Sequence, residues 1–322
     1  MTVEKGYVEA PVPEGIDLAE EIRRLKKEKK AVVLAHYYQS GEIQDIADHV
    51  GDSLAMAQYA ATLADAEIIV VCGVHFMGET AKLLCPGKKV LIPDMNAGCS
   101  LADSCPPEEF EKFVKAHPGH TVVSYVNTSV GVKALTDVVV TSGNARRVID
   151  SLPADEKIIF GPDRNLGNYI NSQTGRSMLL WDGACHVHEL FSAEKIAALK
   201  AGHPQAKVLV HPECKRALTL MADCVGSTAA LLKYAQESGA QEFIVATESG
   251  ILHEMRRLCP EKTFIPAPPA DSTCGCNDCA FMKLITMEKL YNTLRYEMPE
   301  VHIDADVAER ARRPIERMLE LS

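Results

Sequence analysis

The sequence predicts an α/β protein made of three similar α/β/α units with short parallel sheets, set in a pseudo-three-fold arrangement around a central active site. Two observations predict it. Short apolar, β-branched runs alternate with helical stretches along the whole chain, the pattern of parallel strands buried on both faces. A set of polar residues also recurs three times at fixed spacing, the mark of an internal repeat.

The elements follow in order. Residues 16–30 form a charged amphipathic helix, with Ile16, Leu18, Ala19, Ile22 and Leu25 at helical spacing. Strands are expected at 31–38, 67–74, 88–94, 120–127, 137–143, 157–163, 177–183, 206–213, 242–250 and 262–269. A closing amphipathic helix is expected from Asp304 to Leu321, docked on the outside. At 322 residues the chain is long enough for several cores. The repeat divides it at 1–104, 105–191 and 192–322, the last unit carrying the C-terminal helices.

Composition limits the function. With 47% hydrophobic and 24% charged residues the chain reads as an ordinary globular protein. A net charge of -10 argues against broad nucleic-acid binding, which needs a basic surface to displace counterions. No apolar run approaches the roughly 18 residues of a membrane span, and Met1 to Glu14 lacks the basic-then-apolar order of a secretory signal. A cytoplasmic enzyme is the expectation. The 11 cysteines are odd in number and scattered, so metal or redox chemistry is expected for some, rather than a disulfide framework. There is no GxxxxGK[ST] loop and no strand-linked GxGxxG, so no nucleotide cofactor is indicated.

In parallel sheets ligands bind beyond the carboxyl ends of the strands. Three strands end there in polar pairs two residues apart, His36 with Tyr38, Tyr125 with Asn127, and His211 with Glu213, which places both side chains on one face. Each first member is followed 17 residues later by a hydroxyl: Ser53, Ser142 and Thr228. These lie in small-residue segments (GDSLA, TSGNA, GSTAA) that read as helix starts, where N-H groups favour anions and a hydroxyl can equally be a plain cap. Ser227 stands beside Thr228. A cysteine follows a later strand in every unit: Cys99 in NAGCS, Cys185 in DGACH, and one of Cys274, Cys276 and Cys279 in CGCNDC. Three thiolates in one cavity are one short of the four that hold an ordinary 4Fe-4S cluster, leaving an iron open to act as a Lewis acid.

The blocks AHYYQSGEIQDIADHVGDSLAMA, CGVHFMGETAKLL, IPDMNAGC, YVNTS, GPDRNLG, WDGACHVH, HPEC, GSTAAL, ATESGILHEM and MEKLY, in this order, resemble the quinolinate synthase family from about residue 30 to RPIERML. The resemblance implies condensation of iminoaspartate with dihydroxyacetone phosphate to quinolinate, with release of phosphate and water. It implies one 4Fe-4S cluster with three cysteine ligands and one open iron, and transient contact with an enzyme that supplies iminoaspartate. Cys99 and Cys185 match two ligands. The third is Cys279, chosen because Phe281 and Met282 follow it, with Cys276 as the alternative and a reversible Cys276–Cys279 disulfide as a further possibility.

By the same resemblance Tyr38 is the acid/base tyrosine, with His36 as the partner that tunes it. His211 and Glu213 are the acid/base pair opposite, and Tyr125 and Asn127 orient the amino-acid-derived substrate. Ser53, Ser142, Ser227 and Thr228 hold phosphate and carboxylates. His188, three residues after Cys185, reads either as a cluster-pocket residue or as a surface one. Two rivals stay open at the level of sequence: a zinc or thiol-switch protein using Cys274, Cys276 and Cys279 locally, and an aconitase-like hydro-lyase.

Overall fold

The computed structural model describes residues 2–270 and 278–322. Cys274 and Cys276, and with them the alternative ligand, the disulfide and the local zinc site, lie outside the described residues.

Three four-stranded sheets form, and every strand pairing is parallel. The first holds β1 (Ala31–His36), β2 (His49–Gly51), β3 (Ile68–Cys72) and β4 (Lys89–Leu91). The second holds β5 (Thr121–Tyr125), β6 (Val138–Val140), β7 (Ile158–Gly161) and β8 (Leu179–Leu180). The third holds β9 (Lys207–Val210), β10 (Cys224–Val225), β11 (Glu242–Ala246) and β12 (Thr263–Pro266). The orders β2-β1-β3-β4, β6-β5-β7-β8 and β10-β9-β11-β12 are the same order three times. The fold class read from sequence is therefore the observed one. In each sheet the chain leaves the first strand in one direction and returns on its other side, so β1/β3, β5/β7 and β9/β11 flank the switch points where such sheets bind ligands.

The strand ladders are buried because their residues are apolar on both faces. In the third sheet Leu209, Phe243, Val245 and Phe264 pack on one side, and Val208, Val210, Ile244 and Ala246 on the other. Two strands were not expected from sequence, β2 and β10, since neither has an apolar run. An aspartate places them. Asp48, Asp137 and Asp223 each donate a backbone N-H to the carbonyl of Val33, Val122 or Val208 (2.8, 2.9 and 2.9 Å). Each also accepts that residue's N-H on its carboxylate (2.8, 2.7 and 2.9 Å). A side chain thus starts the ladder where backbone pairing alone is too short to do so.

The N-terminal helix runs Leu18–Glu28 with Ile22 and Leu25 buried. Met287–Tyr296 packs against it, and Ala305–Glu320 lays Ala311, Pro314, Ile315 and Met318 against the His75–Leu84 helix, the Val130–Lys133 turn and β6. The C-terminal helices thus follow the third sheet in sequence but strap the first two together in space. Among the described residues no helix is long and apolar enough to cross a membrane.

Gly250 of the third unit lies against the backbone of the first. A Cβ there would stand 2.7 Å from the Cα and carbonyl carbon of Tyr38 and 2.8 Å from the Tyr37 oxygen. These are backbone atoms, and they cannot swing aside. Gly250→Ala is expected to cost about 1–3 kcal/mol, read as a lower urea midpoint at unchanged slope. An unchanged midpoint would mean that the two units yield freely at this contact.

Candidate active site

The polar pairs leave their strands as the period of two requires. His36 and Tyr125 are the last residues of β1 and β5, and His211 follows the end of β9. Twelve of the thirteen residues given ligand, catalytic or substrate roles from sequence border one cavity. They are His36, Tyr38, Ser53, Cys99, Tyr125, Asn127, Ser142, Cys185, His211, Glu213, Thr228 and Cys279. Ser227 sits just behind, capping the Thr228–Glu237 helix through a 3.3 Å bond from Ala230 N-H. Asp52 does the same for Ser53–Thr62, accepting from Ala55 at 3.0 Å. The caps therefore fall one residue before Ser53 and Thr228, which leaves those hydroxyls free to face the cavity. In the second unit Asn144 takes the cap position of Ala145–Ser151, and Ser142 lies 3.3 Å from His211 Nε2.

Glu213 is fully enclosed. Its Oε1 accepts a 2.5 Å bond from the Tyr125 hydroxyl, and its Oε2 lies 3.0 Å from His188 Nδ1. His188 stacks on His211 at 4.6 Å between ring centres and is buried, which decides for the cavity over the surface. Burial opposes the Glu213 charge, but His188, His211 and the Tyr125 phenol hold the carboxylate below the usual range. Burial also pushes His36 and His211 down to about 3. Both are neutral imidazoles at pH 7. Tyr38 and Tyr125 are raised well above the ordinary phenol value, first by burial and then by Glu213.

Tyr38 does not use His36 as its hydroxyl partner. His36 Nδ1 accepts the Tyr38 backbone N-H (3.2 Å), and the rings meet edge to face. The phenol oxygen instead bonds Thr247 Oγ1 (2.6 Å) and Thr228 Oγ1 (3.0 Å), and Thr247 also reaches His188 Nε2 (3.0 Å). Thr247 escapes a reading built on strand-end pairs because it follows β11, an inner strand without such a pair. Lys133 escapes it too. Fully buried, it donates to the carbonyls of Val126 and Thr128 on either side of Asn127, and burial lowers it to about 8. It fixes the turn that presents Asn127, whose buried Oδ1 has no hydrogen-bond partner among the described residues.

The three cysteines share one local geometry. Cys99 and Cys185 cap the short helices Ser100–Asp103 and His186–Glu189, and Cys279 precedes the 3-10 turn Met282–Leu284. Burial pushes Cys99 up to about 12, Cys185 well above its ordinary value and Cys279 upward, and Cys99 repels both of the others. Thiols that share one buried cavity can all ionise only around a cationic group. The set fits an iron–sulfur group. Sγ of Cys185 also lies with His188 and Glu213 in a trio of ligand atoms within 4.8 Å of one another.

A family profile described as quinolinate synthetase A protein matches residues 20–320. The chain belongs to this family. It is 55% identical over 307 residues to the quinolinate synthase of Nostoc sp. (strain PCC 7120 / SAG 25.82 / UTEX 2576), covering 95% of this chain and 94% of that protein. The quinolinate synthases of Synechococcus sp. (strain ATCC 27144 / PCC 6301 / SAUG 1402/1) and Thermosynechococcus vestitus (strain NIES-2133 / IAM M-273 / BP-1) are 54% and 53% identical, with 95% or more of each chain covered. The quinolinate synthase family is one of enzymes, and it is consistent with an iron–sulfur cofactor.

The neutral histidines give stability a pH slope of known sign. Histidine in the unfolded chain titrates near 6.5, whereas His36 and His211 are held at about 3. Below 6.5 the unfolded chain takes up protons that the folded chain refuses, so stability falls as pH drops from 7 toward 3. Each histidine is expected to cost on the order of 2 kcal/mol by pH 5. Urea unfolding of the iron-free protein at pH 7 and pH 5 checks this. His36→Gln and His211→Gln should each lose less on acidification than the parent, and equal losses would refute it.

Proposed function

We infer that this chain is a quinolinate synthase, condensing iminoaspartate with dihydroxyacetone phosphate to quinolinate with release of phosphate and water. The observation that carries the reading is the cavity itself: three thiols, one from each repeat, share it with Tyr38, Tyr125, His211 and Glu213. Cys99, Cys185 and Cys279 would hold one 4Fe-4S cluster. When bound, that cluster supplies an open iron that acts as a Lewis acid toward a substrate hydroxyl, carbonyl or carboxylate. Nine described cysteines are all unpaired, which suits a reducing, cytoplasmic setting.

The substrates are anions, yet no lysine or arginine is among the described residues that border the cavity. Phosphate and carboxylates are received instead by hydroxyls and by N-H groups at the starts of Ser53–Thr62 and Thr228–Glu237, with Ser142 from the second unit. Asn127 meets the amino-acid-derived substrate, its unpartnered Oδ1 free to accept from the substrate nitrogen and its amide N-H groups free to donate to a carboxylate.

Tyr38, protonated at neutral pH, gives a proton to the triose oxygen and takes one back as the carbonyl shifts, with Thr247 and Thr228 holding its hydroxyl in line. His211, neutral and 3.7 Å from Glu213, accepts a proton from carbon, and the carboxylate stabilises the imidazolium while it lasts.

Anaerobic purification is expected to give a brown protein that bleaches in air and forms a pyridine dicarboxylate from the two substrates. Cys99→Ser, Cys185→Ser and Cys279→Ser should each lose iron and activity together. Metal content that survives in the Cys99 or Cys185 variant would favour a local zinc or thiol site, and a fully loaded protein without product would favour a hydro-lyase. A second expectation concerns the Tyr38 hydroxyl. Thr247→Val should lower kcat roughly tenfold or more at little change in KM, and Thr247→Ser should restore most of it. A Val variant with parental kcat would remove Thr247 from the proton path.

A further inference from the structure

We propose that Asp163 and Glu248 are matched positioning residues, two buried carboxylates on which two of the three cavity cysteines are mounted. Asp163 stands two residues beyond the end of β7, and Glu248 two residues beyond the end of β11, the equivalent inner strands of the second and third repeats. Both are completely buried. Each splits its oxygens in the same way. Asp163 Oδ1 accepts Leu166 N-H (2.8 Å) at the start of the next helix, and its Oδ2 accepts the backbone N-H of Cys185 (3.2 Å). Glu248 Oε2 accepts Gly250 N-H (2.7 Å) at the start of its next helix, and its Oε1 accepts the backbone N-H of Cys279 (3.0 Å). One oxygen of each carboxylate thus anchors it to its own repeat, while the other captures a cysteine brought in by a later segment.

The first repeat supplies an internal control. The residue two beyond the end of β3 is Val74, which has no acceptor. What remains there is a backbone bond, His75 N-H to Ala97 O (2.6 Å), two residues before Cys99. Its counterpart in the second repeat, Arg164 N-H to Gly183 O (2.9 Å), lies two residues before Cys185. The second repeat therefore carries that backbone bond and a carboxylate in addition. In the third repeat the carboxylate reaches further. Lys283 Nζ pairs with Glu248 Oε1 (2.8 Å) and donates to the Tyr38 carbonyl (2.6 Å), so the backbone of Cys279 and that of Tyr38 hang on one buried group.

Neither residue was reachable from cysteine spacing, and neither is a thiol ligand itself. An amide in place of either carboxylate keeps one acceptor oxygen but turns an NH2 donor toward an N-H that needs an acceptor. Only one of the two anchored segments can then be served. The thiols stay in the chain, but two of the three lose their fixed approach, and groups that orient metal ligands typically govern retention of the metal.

The inference rests on the iron–sulfur reading above, and the test keeps the two apart. Asp163→Asn and Glu248→Gln are reconstituted anaerobically beside the parent, and iron release to a chelator is followed in each. Thermal unfolding of the iron-free proteins is measured in parallel. Release is expected to be about 10–100-fold faster in both variants, with folded iron-free protein in each case. Parental release from a folded Asp163→Asn or Glu248→Gln variant overturns the proposal. If a variant fails to fold, or the parent binds no iron at all, amide hydrogen exchange in the unaltered iron-free chain decides. Slow exchange at the Cys185 and Cys279 amides supports the two carboxylate mounts, and fast exchange at both overturns them. A parent without iron sinks the iron–sulfur reading by itself.

Discussion

One buried carboxylate organises this cavity. Glu213 is ionised in a place where burial opposes charge, held there by two histidines and a tyrosine hydroxyl. Its field reaches the whole lining. It raises Tyr38 and Tyr125 together with Cys99 and Cys185, and it works upward against burial at His36 and His211. With Asp52 and Glu248 also on the wall and no cationic side chain among the described lining residues, the protein groups alone make the cavity hostile to anions. A family that handles a dicarboxylate and a phosphate ester must therefore draw its positive potential from elsewhere. In the proposed reading the partial charges of helix starts supply some of it, and a cluster held by the three thiols supplies the rest.

The triplicated frame explains how so asymmetric a site arises from so symmetric a fold. The parts that build sheets are the same in each repeat, down to the aspartate that clamps the outer strand at Asp48, Asp137 and Asp223. The parts that face the cavity differ at equivalent positions. The strand-end pairs are imidazole with phenol, phenol with amide, and imidazole with carboxylate. The position two beyond the inner strand is valine in one repeat and a carboxylate in the other two. Repetition fixes where side chains point, and substitution at those points decides what they do, so positions can be inferred from one repeat and carried to the others.

That division also governs what was legible in the sequence. The strands with apolar runs, the fold class and the convergence of His36, Tyr125 and His211 could be read because continuous apolar runs, polar pairs two residues apart and a shared 17-residue offset are local signals. The short strands His49–Gly51 and Cys224–Val225 carry no such run, and only the recurrence of aspartate before each of them marks the place. Thr247, Lys133, Asp163 and Glu248 act through contacts between segments far apart in the chain, which neither hydropathy nor spacing encodes. The partner of the Tyr38 hydroxyl is the clearest instance. Sequence proximity points to His36, yet Tyr38 turns its ring across the cavity to two threonines of the third repeat, some 190 and 209 residues away.

Those threonines bear on how protons move. At neutral pH both imidazoles on the strand ends are uncharged and both phenols are protonated, so Glu213 is the one ionised member among the paired strand-end residues. Moving a proton between neutral groups in a buried site creates two charges at once, which is costly unless the negative and positive ends are stabilised at the same moment. The geometry provides for both. A proton leaving Tyr38 has hydroxyl partners at 2.6 and 3.0 Å to support the oxygen left behind, and a proton arriving at His211 meets a carboxylate at 3.7 Å. His188 touches both ends, bonding Thr247 through Nε2 and facing Glu213 through Nδ1. The two proposed acid/base centres are therefore one connected system, and a change at either end alters the electrostatics that the other feels.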